Sequence, residues 1–139
     1  MISEIFVRLK VSSVSRTPEQ ISDVTGFLCD HSWRIGEKSG KTILVEKTNG
    51  WILNSKMPKN ASLEAHIEEL LGRLLVHADR IRLLSENETV ELSCVVYAST
   101  PPSLNFEKSV IQQICQLGAS LDIDLYITDG GNDQISHDC

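Results

Sequence analysis

Long hydrophobic runs are missing from this 139-residue chain. Its apolar stretches last only a few residues, far short of the roughly 20 that cross a bilayer, so no membrane span is expected. Cys-x-x-Cys pairs are missing as well. Cys29, Cys94, Cys115 and Cys139 lie far apart, which argues against zinc-ribbon and dithiol redox chemistry. Cys94, on the apolar side of a strand pattern, and Cys115, beside Ile111 and Ile114, read as buried thiols acting as small hydrophobes. Cys139 reads as free and exposed, which fits a reducing compartment. The glycines are expected to make no phosphate-binding loop: Gly36 and Gly40 are read as lacking the Gly-Lys-Ser/Thr ending, and Gly130-Gly131 follows the last strand pattern with no helix after it. There is neither a low-complexity segment nor an interdomain linker. The N-terminus enters a strand pattern directly, without a basic start or an apolar signal core, so a cytoplasmic location is expected. No cofactor and no metal are implied.

Basic residues are missing from one stretch in particular. Ser109 to Cys139 carries Asp122, Asp124, Asp129, Asp133 and Asp138 and no Lys or Arg, five of the net six negative charges. From Trp33 to Lys59 the sign reverses: Arg34, Lys38, Lys41, Lys47, Lys56 and Lys59 outweigh Glu37 and Glu46. An acidic total disfavours nucleic acid, whose phosphates need a continuous basic surface, and favours a basic protein partner.

What is present is a plan used twice. Ile5, Val7, Leu9 and Val11 alternate with polar residues and lead through Thr17 and Pro18 into an amphipathic helix ending near Gly26. Val90, Leu92, Cys94, Val96 and Ala98 alternate likewise and lead through Pro101 and Pro102 into a helix ending at Gly118. Alternation marks half-buried strands, and strand-helix units of this size predict an α+β domain over residues 1–128. The expected architecture is a two-layer, ferredoxin-like sheet with helices on one face. Residues 129–139 are expected to form a flexible acidic tail.

Local signals fill in the plan. Thr17 caps the first helix, Pro18 takes its first turn and Gln20 reaches back, with Ile21, Val24 and Leu28 inward. Asn49-Gly50 accepts positive φ, so residues 42–55 are expected to form an inserted β-hairpin around it. Ser62 caps a helix whose stripe is Leu63, Ile67, Leu70, Leu71, Leu74 and Leu75. Burying those six aliphatics contributes on the order of 10 kcal/mol before chain entropy is subtracted. Ala78 to Leu84 reads as a short helical turn, and Asn105 as the cap of the last helix. Leu121, Ile123, Leu125 and Ile127 fall on one side of the last strand, with Asp122, Asp124 and Tyr126 on the other.

Several of these segments together resemble domain-of-unknown-function family 4279, a group of small, mostly bacterial proteins. They are Thr17-Pro18-Glu19-Gln20-Ile21, Ser32-Trp33 with Gly36, Gly50-Trp51-Ile52-Leu53, Glu68-Glu69-Leu70-Leu71, and the closing run from Leu117 to Tyr126. The resemblance covers about residues 4 to 127 and carries over no catalytic residue. Proteins of this type occur as immunity partners of bacterial toxins, and the resemblance therefore implies a toxin as one class of partner.

Strand parity then sorts the candidate site residues. Phe6, Arg8 and Lys10, then Glu91, Ser93, Val95 and Tyr97, then Asp122, Asp124 and Tyr126 share the face away from the helices. If Arg8 and Lys10 pair with Asp122 and Asp124, that face is solvated and contributes little. If the charges and aromatics serve recognition, it is a protein-binding face, extended by Asp129. The lead expectation is a non-enzymatic immunity protein that docks a basic toxin domain through this acidic surface. The alternative is a small-molecule or anion sensor in which Trp33 and Trp51 frame a pocket with Lys38, Lys41, Lys56 and Lys59. Asp122 with Asp124 lacks a nearby His for metal or acid-base work, Cys29 and His31 do not face one another, and His66 and His77 read as solvated. Oligomeric state is not written in the sequence.

Overall fold

The computed structural model describes residues 2–128. Two long antiparallel strands, β1 (Ile2–Ser13) and β4 (Thr89–Ala98), form its centre, with Val7 opposite Cys94 and Leu9 opposite Leu92. Matching parity in the two strands puts Ile5, Val7, Leu9, Val11, Val90, Leu92, Cys94 and Val96 on one buried face. β3 (Asn49–Asn54) pairs antiparallel with the other side of β1, and β2 (His31–Trp33) antiparallel with β3. β5 (Ser120–Ile127) runs parallel to β4, giving a five-stranded sheet in the order β2-β3-β1-β4-β5. β1 and β2 therefore run in the same direction with β3 between them, and β3 and β4 do so with β1 between them.

The helices cover the apolar face. α1 (Pro18–Thr25) starts in the expected reciprocal cap: the Gln20 N–H donates to Thr17 Oγ1 at 3.2 Å and the Thr17 N–H to Gln20 Oε1 at 2.9 Å. It stops at Gly26, whose φ of 83° is the left-handed conformation that favours glycine. Ser62 caps α2 (Leu63–Leu74), which continues through a 3₁₀ turn at Leu75–His77 into α3 (Ala78–Ser85). α4 (Lys108–Gln116) links β4 to β5. Ile21, Ile67, Leu70, Leu71, Leu74, Ile81, Leu84, Ile114 and Leu117 close the core against the sheet.

Several local expectations change. Residues 42–55 form no hairpin around Asn49-Gly50, because that pair opens β3 and Gly50 stands opposite both Ser12 and Trp33. The chain instead reverses earlier, where Lys38 bridges Val45 and the Gly36 N–H reaches the Glu46 carbonyl. Leu28, beyond the Gly26 stop, is 85% exposed rather than inward, and Leu75 is half-buried. Ala78–Ser85 is a helix of eight residues, not a single turn. Glu107, not Asn105, occupies the cap position of α4. Cys94 is buried but Cys115 is exposed on α4. No described helix is long and apolar enough to cross a membrane. Asp129 and the rest of the expected tail lie outside the described residues.

Candidate functional site

The face of the sheet opposite the helices carries the residues that parity assigned to it. Register sets them in rows: Arg8 lies opposite Asn54 and Ser93, and Ser93 opposite Asp122; Lys10 lies opposite Ile52 and Glu91; Phe6 opposite Val95, and Val95 opposite Asp124. At one end three aromatic rings meet. Tyr97 and Tyr126 stack at 5.1 Å with planes 19° apart, and Phe6 meets the edge of Tyr97 at 6.4 Å. Such contacts fix ring orientation while leaving area for a partner. Phe6 is 43% and Tyr126 49% exposed.

Charge on this face is not neutralised in the expected way. Among the described residues neither Arg8 nor Lys10 makes an ion pair with Asp122 or Asp124. The carboxylates crowd one another instead. Partial burial pushes the Glu91 carboxyl above its ordinary range, and the neighbouring Asp122 adds its charge and a shared hydrogen bond, with Asp124 contributing least; Lys10 opposes the shift. Burial also pushes the Cys94 thiol beneath them up to about 12, with Asp122 contributing, so it is a packing residue rather than a nucleophile. No group of three or more His, Cys, Asp or Glu among the described residues is placed to hold a metal ion.

The two tryptophans are adjacent across the β2–β3 pair but lie on opposite faces. Trp51 is fully buried among the helices, and its Nε1–H donates to Ser22 Oγ at 2.9 Å. Trp33 lies on the open face against Gly50, where a Cβ would fall 2.0 Å from the indole. Lys10 Nζ sits 5.7 Å from the Trp33 ring and His31 5.8 Å from it, centre to centre. The two indoles therefore do not frame one pocket. Lys38 and Lys41 lie in the exposed loop over residues 34–48, and Lys56 and Lys59 follow β3. That loop also holds Gly40-Lys41-Thr42, so the Gly-Lys-Ser/Thr ending expected to be lacking after Gly40 is present. β2 precedes the loop, but a strand, β3, and not a helix follows it.

Beside the aromatic row lies a feature that periodicity did not indicate. After Asn54 the chain leaves the β1–β3 ladder yet stays tied to β1: the Ser55 N–H donates to the Val7 carbonyl at 2.9 Å and the Ile5 N–H to the Lys59 carbonyl at 2.8 Å. Between this segment, β1, β4 and α2 a cleft of about 430 Å³ opens, lined by Phe6, Arg8, Ser55, Met57, His66 and Tyr97 among others. His66 is not solvated but 2% exposed, and its Nδ1 lies 2.5 Å from Ser55 Oγ. Burial holds its pKa below the ordinary histidine value, partly offset by the Pro58 carbonyl and the Glu69 charge. The ring's Nε2 has no hydrogen-bond partner among the described residues, nor does Arg8 Nε. The spacing Leu63, His66, Ile67, Leu70 places His66 on the buried stripe of α2 and was the available signal. Ser55 and His66 stand as a nucleophile-base pair would, but among the described residues no carboxylate orients the other ring nitrogen.

A family described as a domain of unknown function (DUF4279) matches residues 3–128, and the chain belongs to that family. No curated protein and no solved structure matches the chain.

Proposed function

We propose that this DUF4279 domain is a non-enzymatic binding module whose open sheet face docks a basic protein partner. The observation that carries the reading is the Glu91-Asp122-Asp124 crowding next to the Phe6-Tyr97-Tyr126 row. Carboxylates that repel one another in the free protein are relieved by an incoming cation, so the same groups steer encounter and stabilise the complex. The exposed rings supply apolar anchor area inside a charged rim. The strand order and directions are read as two interleaved strand-helix-strand units, the ferredoxin-like arrangement, extended by β5. In that arrangement the face away from the helices is available to a partner.

The specific partner we assign is a bacterial toxin domain neutralised by occlusion, in a cytoplasmic immunity role, which rests on the family association together with this charge pattern. Titration calorimetry and stopped-flow binding against the purified product of the neighbouring gene test it. Wild-type protein is expected to bind with a salt-sensitive on-rate. Asp122→Lys with Asp124→Lys is expected to slow association about tenfold or more, and Tyr97→Ala with Tyr126→Ala to speed dissociation. Binding undiminished in both variants removes the reading. The anion-sensor alternative built on Trp33 and Trp51 gains nothing from the placement of the indoles.

A further inference from the structure

The two edges of the sheet are built differently. β2 closes one edge with three residues, too short to offer much of a ladder, whereas β5 closes the other with eight. Edge strands are ordinarily blunted by lysine, proline or a bulge, and β5 has none of these: Ser120 to Ile127 holds no Lys, Arg or Pro and keeps unbroken register with β4. The Thr128 N–H donates to the Ala98 carbonyl at 2.7 Å. Main-chain groups alternate from side to side along a strand, so Tyr126, Asp124 and Asp122 turn theirs to β4. Ile127, Leu125, Ile123 and Leu121 turn theirs outward, where no described strand meets them. We propose that a basic, extended segment of a protein partner adds to this outer edge as a sixth strand, with its basic side chains beside Asp122 and Asp124 and its apolar ones over Leu121 and Leu125.

Both sides of the edge select that partner. On the helix side α4 stops short of covering β5: Leu121, Leu125 and Ile127 are 37–48% exposed, whereas Leu92, Val96 and Ala98 opposite them on β4 are buried. A shallow groove of about 310 Å³ lies between α4 and the start of β5, lined by Ile111, Ile114, Cys115, Gly118, Ala119 and Leu121. Apolar side chains of an added strand gain cover there. On the open face Asp122 and Asp124 stand on the edge strand itself, and Glu91 on β4 shares a hydrogen bond with Asp122. Cross-strand neighbours on one face have Cβ atoms about 5 Å apart, which brings a lysine of the added strand within ion-pair reach of these carboxylates. The same carboxylates exclude acidic strands. A two-fold pair of β5 strands would bring two such clusters onto one face, in chains that each carry a net charge of -6. Residues 129–139 carry Asp129, Asp133 and Asp138 with no Lys or Arg, and so offer the wrong charge as well. Strand addition draws affinity from main-chain hydrogen bonds and specificity from alternate side chains. The inference rests on the reading of a basic protein partner given above and supplies the manner of its attachment.

The probe is an end-blocked heptapeptide of alternating Lys and Val, tested by NMR amide exchange on ¹⁵N-labelled full chain. In the free protein the amides of Ile123 and Leu125 are expected to exchange faster than those of Asp124 and Tyr126. Saturating peptide is expected to slow Ile123 and Leu125 about tenfold or more. An alternating Glu-Val heptapeptide is expected to bind at least about tenfold more weakly. With Lys on the carboxylate side, one set of peptide amides faces β5 and the other faces water, whichever way the peptide runs. N-methylating either the Val or the Lys amides is therefore expected to abolish binding in one case and spare it in the other. Leu125→Pro removes an outward N–H without touching the β4 ladder, and is expected to bind the peptide about tenfold or more weakly than Leu125→Ala. Should Leu125→Pro fail to fold, the methylation contrast in the unaltered protein decides. No saturable binding, equal binding of the two methylated peptides, or equal binding of the Glu-Val peptide would overturn the proposal. So would slow exchange of Ile123 and Leu125 in the free chain: if it grows with protein concentration, a second copy occupies the edge, and if it does not, the chain covers its own edge. Failure of the open-face reading shows differently, as partner binding indifferent to Asp122→Lys with Asp124→Lys. Failure of strand addition alone leaves that dependence in place while both methylated peptides bind alike.

Discussion

Trp51 and Trp33 are neighbours across one pair of strands, yet they occupy opposite environments. Trp51 faces the helices, is wholly buried, and has its one donor satisfied by Ser22. Trp33 faces away from them, is half-buried against Gly50, has no partner for Nε1, and lies within reach of Lys10. The difference shows that only one face of this sheet is committed to the core. The other gains cover from side chains lying on it, and so remains open to recognition. The sharpest way to break the comparison is truncation. Trp51→Ala is expected to lose about 3–5 kcal/mol in urea unfolding, as for a large buried aromatic. Trp33→Ala should cost about 1 kcal/mol, as for a partly exposed contact. Equal losses would mean that both faces are core.

Gly50 offers a finer cut. A Cβ there would fall 2.0 Å from the Trp33 ring, so the indole must move off the sheet. Gly50→Ala is expected to cost about 1–3 kcal/mol through that displacement. In a Trp33→Ala background the clash is gone, and the same substitution should be close to neutral. A double-mutant cycle with a coupling energy near zero would show that Trp33 does not rest on Gly50.

What the sequence disclosed follows the range of its signals. Parity along β1 and β4 was legible because each strand is long and one of its faces is buried, so a period of two runs the whole length. The Thr17–Gln20 cap and the Ser62 cap were legible because they are closed within a few residues. Asn49-Gly50 misled because its residue type suits a tight turn, whereas its tertiary role is to let Trp33 approach the backbone. Leu28 misled because helical periodicity was extended past Gly26, whose left-handed backbone ends the helix. Of the open face, the positions were readable but the partnering was not: whether Arg8 reaches Asp122 depends on side-chain paths across Ser93. The cleft was invisible because it arises from how residues 55–59 leave the β3 ladder, a property of neither segment alone.

His66 lets pH probe the helix side of the comparison. Its folded-state pKa lies below the ordinary 6.5 because burial disfavours the imidazolium. Above about pH 6.5 the ring is neutral in both folded and unfolded chains and contributes no pH dependence. As pH falls from 6.5 toward the lowered folded value, the unfolded chain takes up a proton that the folded one refuses, so stability is lost. For one proton that slope cannot exceed about 1.4 kcal/mol per pH unit. Urea unfolding of His66→Gln against the parent is expected to show this acid loss shrinking between pH 6.5 and 5. Parallel curves would mean that His66 titrates as a solvated histidine.

The smallest effect expected is on the open face, and it has the opposite sign. Glu91 is raised above the ordinary carboxylate value of 4.5, first by burial and then by Asp122. Its charged form is therefore a cost to the folded state, absent below about pH 4.5 and complete above the raised folded value. Glu91→Gln should accordingly stabilise the protein at pH 7, by less than about 1 kcal/mol for so accessible a group, and the gain should vanish in acid. Lys10 ties this back to Trp33, because it lies opposite Glu91 in the register while its Nζ lies 5.7 Å from the Trp33 ring. Lys10→Met removes the one cation that opposes the Glu91 shift, so the gain from Glu91→Gln should be larger in that background. An equal gain in both backgrounds, measured by urea unfolding at pH 7, would mean that Lys10 does not help to hold the carboxylate in its charged form.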